Sequence, residues 1–289
     1  MNELLETILK YNRANPETFI KEVLFPYLDS YNIEYEVDEE YNVFFSTNDA
    51  AENLYIAHTD TCDRLDSPKF KELEVSPKGF VKLKDENGPH SCLGADDGAG
   101  VYMLMKLIES GIEGKYLFTT GEESGLIGMK HWLNQECNLA ELKSIQNCYE
   151  FDRRGESEII IEQSGTRMAD LEEALVLSER ISDFGLNMRL STGGIYTDNY
   201  LLAGLVPNVY NLSVGYFGEH TRQEVLYFGH VEQLLYAMIS IGQDAIYPEI
   251  YDTWFGTEYD SEENLEEYYS NIDEYSASFY DEQGNSTLK

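Results

Sequence analysis

Apolar and polar positions alternate along the chain with periods that predict both helices and strands. Apolar residues recur at helical spacing over residues 2–29, where Pro16 marks the start of a second helix. The stretches IEYEVD and YNVFFST alternate at a period of two and predict an antiparallel strand pair, and residues 70–83 predict a hairpin. The short apolar run NLYIAH is typical of a central strand.

From residue 91 onwards, predicted helices alternate with predicted strands. The small-residue loop SCLGADDGAG leads into an apolar helix that ends at Gly111, and further helices are predicted at SGLIGMKHWL, at TDNYLLAGL and from HVEQLLYAM onwards. Strands are predicted at GKYLFTT, IQNCYEFD, SEIIIEQS and VPNVYNLSV. This alternation predicts an α/β fold with three α/β/α layers around a mostly parallel, mixed central sheet. Ligands bind to such sheets beyond the carboxyl ends of the strands.

The charge balance and its distribution limit the classes of partner and divide the chain into two parts. Fifty-four acidic residues against 20 basic ones give a formal net charge of −34, which argues against nucleic acid and anionic membranes as partners. The composition becomes acidic and rich in tyrosine after residue 245. We therefore expect a catalytic domain over 1–245 and a disordered or loosely docked C-terminal tail over 246–289.

The cysteines and the N-terminal segment indicate the compartment. The four cysteines form no CxxC pair, which argues against a zinc ribbon or a redox dithiol and fits a reducing compartment. The N-terminal MNELLETILK carries acids where a signal peptide needs bases, and no apolar run is long enough to span a bilayer. These features predict a cytoplasmic protein.

Acidic and imidazole side chains follow the predicted strands at the points where the strands end. In a parallel sheet these ends face one crevice, so the side chains are expected to lie close together. Gathered carboxylates repel one another unless cations neutralise them, and a mixture of His and Asp/Glu suits divalent transition metals. Zinc is the leading candidate, with cobalt or manganese as alternatives. The residues are His58, Asp60, Asp96, Asp97, Glu122, Glu123, Asp152 and His220.

Five motifs together resemble the signature of the co-catalytic di-zinc exopeptidases. AHTD, GADDGAG, TGEESGLIG, EFD and GEHT occur in this order within residues 50–245. The family includes zinc aminopeptidases and their tripeptidase, carboxypeptidase and deacylase relatives. No single motif is specific, but the set of five is. The resemblance implies the zinc-exopeptidase type of the α/β fold, which is also described as phosphorylase/hydrolase-like.

The resemblance also implies a set of metal ligands for two divalent ions, most simply zinc. His58 and Asp152 would bind one ion, Glu123 and His220 would bind the other, and Asp96 would bridge the two. His58 and Asp96 are 38 residues apart (96 − 58), and Asp152 and His220 are 68 apart (220 − 152). Neither interval has room for the separate lid or dimerisation domain of larger relatives. We therefore expect a single-domain form without a lid.

Three further residues have roles that the resemblance implies. Glu122 would be the general base and acid, and Asp60 would hold the far side of the His58 ring. A cis peptide bond is expected between Asp96 and Asp97. The implied enzyme is a metallopeptidase, an aminopeptidase acting on peptides or small amides. A carboxypeptidase or N-acyl amino acid deacylase with the same metals, and a catalytically silent acidic interaction protein, stay open as alternatives, as does the oligomeric state.

Several other residues have two possible roles each. Asp198 could contact a substrate amine or the metal ligands, or it could cap a helix. The three arginines near the motifs could recognise a substrate carboxylate or offset the acidic surface. Four aromatic residues could line a side-chain pocket or belong to the core. His90, His131 and His230 are expected to be structural. The arginines are Arg153, Arg154 and Arg222, and the aromatic residues are Tyr196, Tyr210, Tyr216 and Phe217.

Overall fold

A mixed β-sheet forms the centre of the fold in the computed structural model, which describes residues 1–85 and 87–243. Its strands are joined by helices and by a second, smaller sheet. The strands are β1 (Glu36–Val37), β2 (Val43–Ser46), β3 (Asn53–His58), β4 (Leu73–Val75), β5 (Phe80–Leu83), β6 (Lys115–Thr119), β7 (Asn147–Arg153), β8 (Glu158–Ile160), β9 (Glu162–Gln163), β10 (Thr166–Arg167), β11 (Arg189–Ser191), β12 (Asn208–Ser213), β13 (Tyr216–Phe217) and β14 (Val225–Tyr227).

The helices lie mostly between the strands, as the alternating pattern predicts. They are α1 (Glu3–Lys10), α2 (Glu17–Phe19), α3 (Phe25–Ser30), α4 (Ala95–Glu109), α5 (Ile127–Leu133), α6 (Glu136–Glu141), α7 (Leu171–Ser182) and α8 (Phe228–Gly242). A π-helical turn, Ile20–Leu24, connects α2 with α3, so the second N-terminal helix is continuous but irregular. Short 3₁₀ helices cover Leu142–Ser144 and Asp198–Leu202.

The central sheet has the order β1-β2-β6-β3-β7-β12-β8-β11. Its four middle strands, β6, β3, β7 and β12, run parallel to one another. At one edge β2 is antiparallel to β6, and towards the other edge β8 is antiparallel to β12. A mostly parallel middle with antiparallel neighbours makes the sheet mixed, and the α/β fold class expected from the sequence is confirmed.

A ladder of stacked aromatic rings crosses five neighbouring strands of this sheet. Phe45, Tyr116, Tyr55, Tyr149 and Tyr210 are paired in register and follow one another across β2, β6, β3, β7 and β12. Consecutive ring centroids are 5.2, 5.1, 5.6 and 5.6 Å apart, and the rings are stacked. Cross-strand aromatic pairs of this kind stabilise one register, because a shift by one residue would turn each ring to the other face of the sheet.

The ladder lies three residues before the candidate site along β3 and β7. His58 follows Tyr55 by three residues, and it pairs directly with Thr119 at the end of β6. Asp152 follows Tyr149 by the same three residues. The register that aligns the rings therefore brings the carboxyl ends of β3, β6 and β7 to one level, where His58 and Asp152 meet.

Helices pack on the apolar faces of the central sheet. The long helix α4 lies against β3 and β7, and α1 packs on α4. On the face opposite to the ladder, apolar residues of the strands join residues of α5 in one buried cluster. That cluster is made of Phe44, Leu54, Ile56, Leu117, Met129, Trp132, Leu142, Ile145, Cys148, Met168, Leu202, Val206 and Val209.

A second sheet, with the order β13-β14-β5-β4, was not expected from the sequence. The predicted hairpin is confirmed, since β4 pairs antiparallel with β5, but β5 also pairs with β14 far along the chain. His220 lies between β13 and β14, which pair with each other. The pairing of the second sheet thus places His220 near the central sheet. His220 has a positive φ of 60° in the connection between β13 and β14.

Other differences from the sequence-based elements concern single segments. The stretch TDNYLLAGL contains a five-residue 3₁₀ helix rather than an α-helix. Helix α7 was not predicted, although Asp170 caps it by accepting hydrogen bonds from the N–H groups of Glu172 and Glu173 at 2.8 and 3.3 Å. The expected boundary at residue 245 and the tail over 246–289 lie outside the described residues. In the part of the chain described here, no helix is long and apolar enough to cross a membrane.

The aromatic ladder leads to a prediction for stability. Tyr55, 1% exposed at the middle of the ladder, stacks on rings of both adjacent strands. Tyr55→Ala is expected to lower the free energy of unfolding by about 3–5 kcal/mol, because it removes a buried ring and leaves a cavity. Tyr55→Phe keeps the ring and should cost about 1 kcal/mol or less. Urea unfolding of both variants checks this, and equal losses would mean that stacking is unimportant.

Candidate metal centre

Two residues at the ends of parallel strands begin the site. His58 ends β3 and is 1% exposed, and Asp152, near the end of β7, is 7% exposed. The Nε2 atom of His58 lies 3.7 Å from Oδ1 of Asp152. Both side chains thus belong to strands rather than to loops, and the strands hold an imidazole and a carboxylate side by side.

Asp96 lies between the two histidines of the site. Its Oδ1 atom is 3.0 Å from Nε2 of His58, and its Oδ2 atom is 3.0 Å from Nε2 of His220. The same nitrogen of His220 is 3.0 Å from Oε2 of Glu123. A carboxylate that directs each of its oxygens to a different imidazole has the arrangement needed to bridge two ions.

The start of α4 gives Asp96 this position. Asp96 and Asp97 have non-helical backbone angles, and the peptide bond between them is cis, as the sequence predicted. Asp97 is fully buried, and its carboxylate accepts hydrogen bonds from the N–H groups of His58 and Gly100 at 3.2 and 2.9 Å. A Cβ atom on Gly100 would lie 2.4 Å from the Asp97 carboxylate, so this position requires glycine. Asp97 therefore supports the backbone, while Asp96 faces the histidines.

Asp60 lies on the far side of the His58 ring, as the sequence suggested, and also contacts the loop of the two glutamates. The Nδ1 atom of His58 is 3.1 Å from the main-chain oxygen of Asp60 and 3.5 Å from its carboxylate. The carboxylate oxygens also accept hydrogen bonds from the N–H groups of Glu122 and Glu123 at 3.2 and 3.3 Å. Asp60 thus ties the loop that carries the two glutamates to the end of β3, and its main-chain oxygen and carboxylate both face Nδ1 of the His58 ring.

Three residues outside the five motifs fix the acids of the site. The hydroxyl of Tyr216 donates to Oδ1 of Asp152 at 2.9 Å, which gives this tyrosine a polar contact rather than a place in a pocket wall. The amide of Asn211 exchanges two hydrogen bonds of 3.0 Å with the main chain of Asp152. Glu224, fully buried, accepts from the N–H groups of Gly94 and Asp96 at 2.8 and 3.0 Å. No local sequence signal marks these contacts, since each partner is distant along the chain.

Burial and the crowding of acids shift the protonation of the site. Burial, together with the nearby Asp152, Asp198 and Asp96, raises the pKa of Glu122 to about 9, against the lowering effect of His58. Burial and Asp96 likewise raise the pKa of Asp152 to about 7. Burial alone would lower the pKa of His58, but hydrogen bonds to Asp152, Asp60 and Asp96 raise it well above its ordinary value. The cluster therefore retains protons unless another cation neutralises it.

The donor atoms fit divalent metal ions. Ligand atoms lie within 4.8 Å of one another in three overlapping sets: His58 with Asp97 and Asp152, His58 with Asp96 and Glu123, and Cys62 with Glu123 and His220. Tetrahedral zinc needs separations of about 3.3–3.8 Å between donors. The distances of 3.0–3.7 Å found here are close to that range. The Oε1 atom of Glu123 is buried and has no hydrogen-bond partner among residues 1–85 and 87–243, and a cation would supply one.

The remaining histidines lie outside this cluster and have other contacts. His90 is 2.8 Å from a carboxylate oxygen of Asp63, and His131 is 3.9 Å from one of Asp38. His230 donates from Nε2 to the main-chain oxygen of Ser213 at 2.9 Å. The expectation that all three are structural agrees with these contacts.

The arginines that flank the motifs pair with groups of the same chain. Arg153 makes two hydrogen bonds of 2.8 and 2.6 Å to Glu158, and Arg154 contacts Glu219 at 3.1 Å. Arg222 donates to the main-chain oxygens of Gly88 and Asp85. Of the two roles considered for them, these contacts favour charge compensation and loop closure over recognition of a substrate carboxylate.

Asp198 and the aromatic candidates are divided between core and surface. Asp198 is fully buried and accepts a 2.5 Å hydrogen bond from Thr119, and its side chain does not cap the 3₁₀ helix that it begins. Tyr210 and Phe217 are 2% and 5% exposed and belong to the core. Tyr196 alone among the four aromatic candidates is largely exposed, at 59%.

Comparison with solved structures identifies proteins of the same fold. An aminopeptidase PepT from Bacillus cereus is 15% identical, with 83% of this chain and 96% of that chain covered at a TM-score of 0.64. A tripeptidase from Staphylococcus aureus is 16% identical, with 83% and 96% covered at a TM-score of 0.65. The TET1 peptidase of Pyrococcus horikoshii, which can assemble into a tetrahedron or a large octahedral shell, is 16% identical, with 83% and 98% covered at a TM-score of 0.64.

At these identities the comparisons establish the fold alone: the chain has the α/β fold of these peptidases. No protein-family model and no curated protein matches the sequence. The roles of individual residues must therefore be argued from their own geometry.

His230 leads to a prediction for pH dependence. Burial lowers its pKa from 6.5 to about 4, so between these values the unfolded chain binds the proton that the folded chain excludes. The free energy of unfolding should therefore fall as pH decreases through this range, and this residue should account for about 2 kcal/mol of the loss at pH 5. Urea unfolding at pH 7.5 and pH 5 should show a loss smaller by about that amount in His230→Gln. Identical losses in wild type and variant would contradict the assignment.

Proposed function

We propose that the chain is a metal-dependent aminopeptidase that binds two divalent ions at this centre. Zinc is the leading candidate for both. His58 and Asp152 would hold one ion, Glu123 and His220 would hold the other, and Asp96 would contact both. The observation that carries the proposal is the position of Asp96, whose two carboxylate oxygens are each 3.0 Å from a different histidine. The fold shared with aminopeptidases and a tripeptidase supports the same reaction class.

The reaction needs a nucleophile, a base and stabilisation of the negative charge that develops on the scissile carbonyl. When bound, the two ions polarise that carbonyl and lower the pKa of water between them. Glu122 is the catalytic base: its side chain is partly exposed and lies next in the chain to the ligand Glu123. It takes the proton from the attacking water and returns it to the leaving amine. Asp60 positions Glu122 through the hydrogen bond from the Glu122 N–H group.

The charges around the centre favour a free amino group over a free carboxylate at the bound end of the substrate. Besides the five proposed ligands, the centre holds the acids Asp60, Glu122 and Asp198, which attract an ammonium group. A carboxypeptidase would instead need cationic side chains for the substrate carboxylate. The nearby Arg153, Arg154 and Arg222 all make contacts within the chain. We therefore place aminopeptidase activity ahead of carboxypeptidase and deacylase activity.

The experiment that tests the proposal combines metal analysis with two sets of substrates. The purified protein is loaded with zinc, assayed on peptides with free and with N-acylated amino termini, then chelated and assayed again. The proposal predicts two ions per chain, release of N-terminal residues from free peptides only, and loss of activity on chelation. Hydrolysis confined to acylated substrates would indicate the deacylase, and metal binding without hydrolysis of either set would indicate an interaction protein.

A single substitution tests the role of Glu122. Glu122→Gln removes the proton acceptor but keeps the size of the side chain, so both ions should bind as before while turnover falls by roughly 10²–10⁴-fold. Metal content and the rate constant of the loaded variant are the measurements. Glu136→Gln, an exposed change in the first turn of α6, is the matched control and should leave both unchanged. Undiminished turnover in Glu122→Gln would exclude this residue as the base.

A further inference from the structure

A cysteine lies among the donors of the second metal position. The Sγ atom of Cys62 is 3.0 Å from Oε2 of Glu123, the same oxygen that is 3.0 Å from Nε2 of His220. The three donor atoms lie within 4.8 Å of one another. We propose that Cys62 is a thiolate ligand of the ion held by Glu123 and His220. This inference rests on the proposed metal centre but goes beyond its ligand set.

A buried network holds Cys62 in this position. Its main-chain oxygen accepts a hydrogen bond of 3.0 Å from the hydroxyl of Ser91. The next residue, Asp63, has a fully buried carboxylate that contacts Lys71 at 3.2 Å and His90 at 2.8 Å. The N–H group of Ser91 donates to the same carboxylate at 2.8 Å. The main chain of Cys62 is therefore anchored at its own carbonyl and at the next residue, which limits the direction of its side chain.

Glu123 points independently to a cation at this place. Its side chain is 9% exposed, and its Oε1 atom is buried without a hydrogen-bond partner among the described residues. Leaving a carboxylate oxygen buried and unpaired is unfavourable. An ion bound by Cys62, Glu123 and His220 would neutralise the carboxylate, and binding would release the thiol proton to solvent.

The other cysteines show what a purely structural thiol looks like in this chain. Cys148 is fully buried in the apolar cluster, and Cys92 is 2% exposed. Cys137 is exposed on α6 and belongs to none of the three sets of potential metal ligands. Cys62 differs from all of them because it is partly exposed and contacts a glutamate that faces a histidine.

A thiolate ligand has a consequence for metal selectivity. Sulfur donors favour zinc and cobalt over manganese and magnesium, which prefer oxygen. The second position should therefore prefer zinc or cobalt more strongly than the position of His58 and Asp152. The same difference makes the ligand visible, because thiolate bound to Co²⁺ gives a near-ultraviolet charge-transfer band that carboxylate and imidazole do not give.

The test uses the full chain loaded with Co²⁺. Wild type and Cys137→Ala should bind two ions and show the charge-transfer band, whereas Cys62→Ala and Cys62→Ser should lose it. Loss of a direct ligand should also weaken binding of one of the two ions by roughly 10–100-fold or more in a chelator competition. Cys137→Ala should leave both affinities unchanged.

The outcomes separate this inference from the proposed function. Two bound ions without the band in wild type, or a band that persists in Cys62→Ala, would overturn the cysteine assignment and leave the other ligands in place. Failure of wild type to bind Co²⁺ or Zn²⁺ would overturn both. The wild-type spectrum gives a decisive result even where a Cys62 variant does not fold.

Discussion

The register of the parallel strands is the constraint on which the candidate site depends. The stacked rings from Phe45 to Tyr210 align five neighbouring strands at one level. Three residues further along, β3 and β7 present His58 and Asp152, whose side chains approach within 3.7 Å. A one-residue shift of either strand would turn its side chain to the other face of the sheet. Packing in the sheet thus determines which polar groups meet beyond it.

The same alignment concentrates negative charge, and the surrounding residues are arranged to tolerate it. Asp97 and Glu224 are buried; Asp97 accepts hydrogen bonds from the N–H groups of His58 and Gly100, and Glu224 accepts from the backbone at the start of α4. Tyr216 donates to Asp152, and Asp60 accepts from the loop of Glu122. Each contact fixes the position of a ligand or of the base without supplying a positive charge. Divalent ions bound at this cluster would neutralise the carboxylates together.

Much of this arrangement follows from the sequence, because the signals involved are local. The short apolar runs of β3, β6 and β7 and the acids directly after them indicate both the parallel strands and the edge where the acids gather. The five motifs indicated the fold and the cis bond between Asp96 and Asp97. Asp170 followed by Glu172 and Glu173 was also a local helix signal, and it should have led to the prediction of α7.

What the sequence could not indicate depends on contacts between distant segments. Glu224 reaches Asp96 across 128 residues, and Tyr216 reaches Asp152 across 64. The second sheet pairs β5 with β14 and thereby carries His220 to the site. Cys62 follows a recognised motif by two residues, but only the fold shows that its sulfur faces Glu123. Periodicity and spacing within one segment contain no information on such pairings.

The central claim is that this cluster binds two ions bridged by Asp96. The most direct measurement is anomalous diffraction at the zinc absorption edge from crystals of the zinc-loaded protein. The account predicts two anomalous peaks, one beside His58 and Asp152 and one beside Glu123 and His220, each in contact with a different oxygen of Asp96. A single peak, or peaks that Asp96 does not contact, would contradict it.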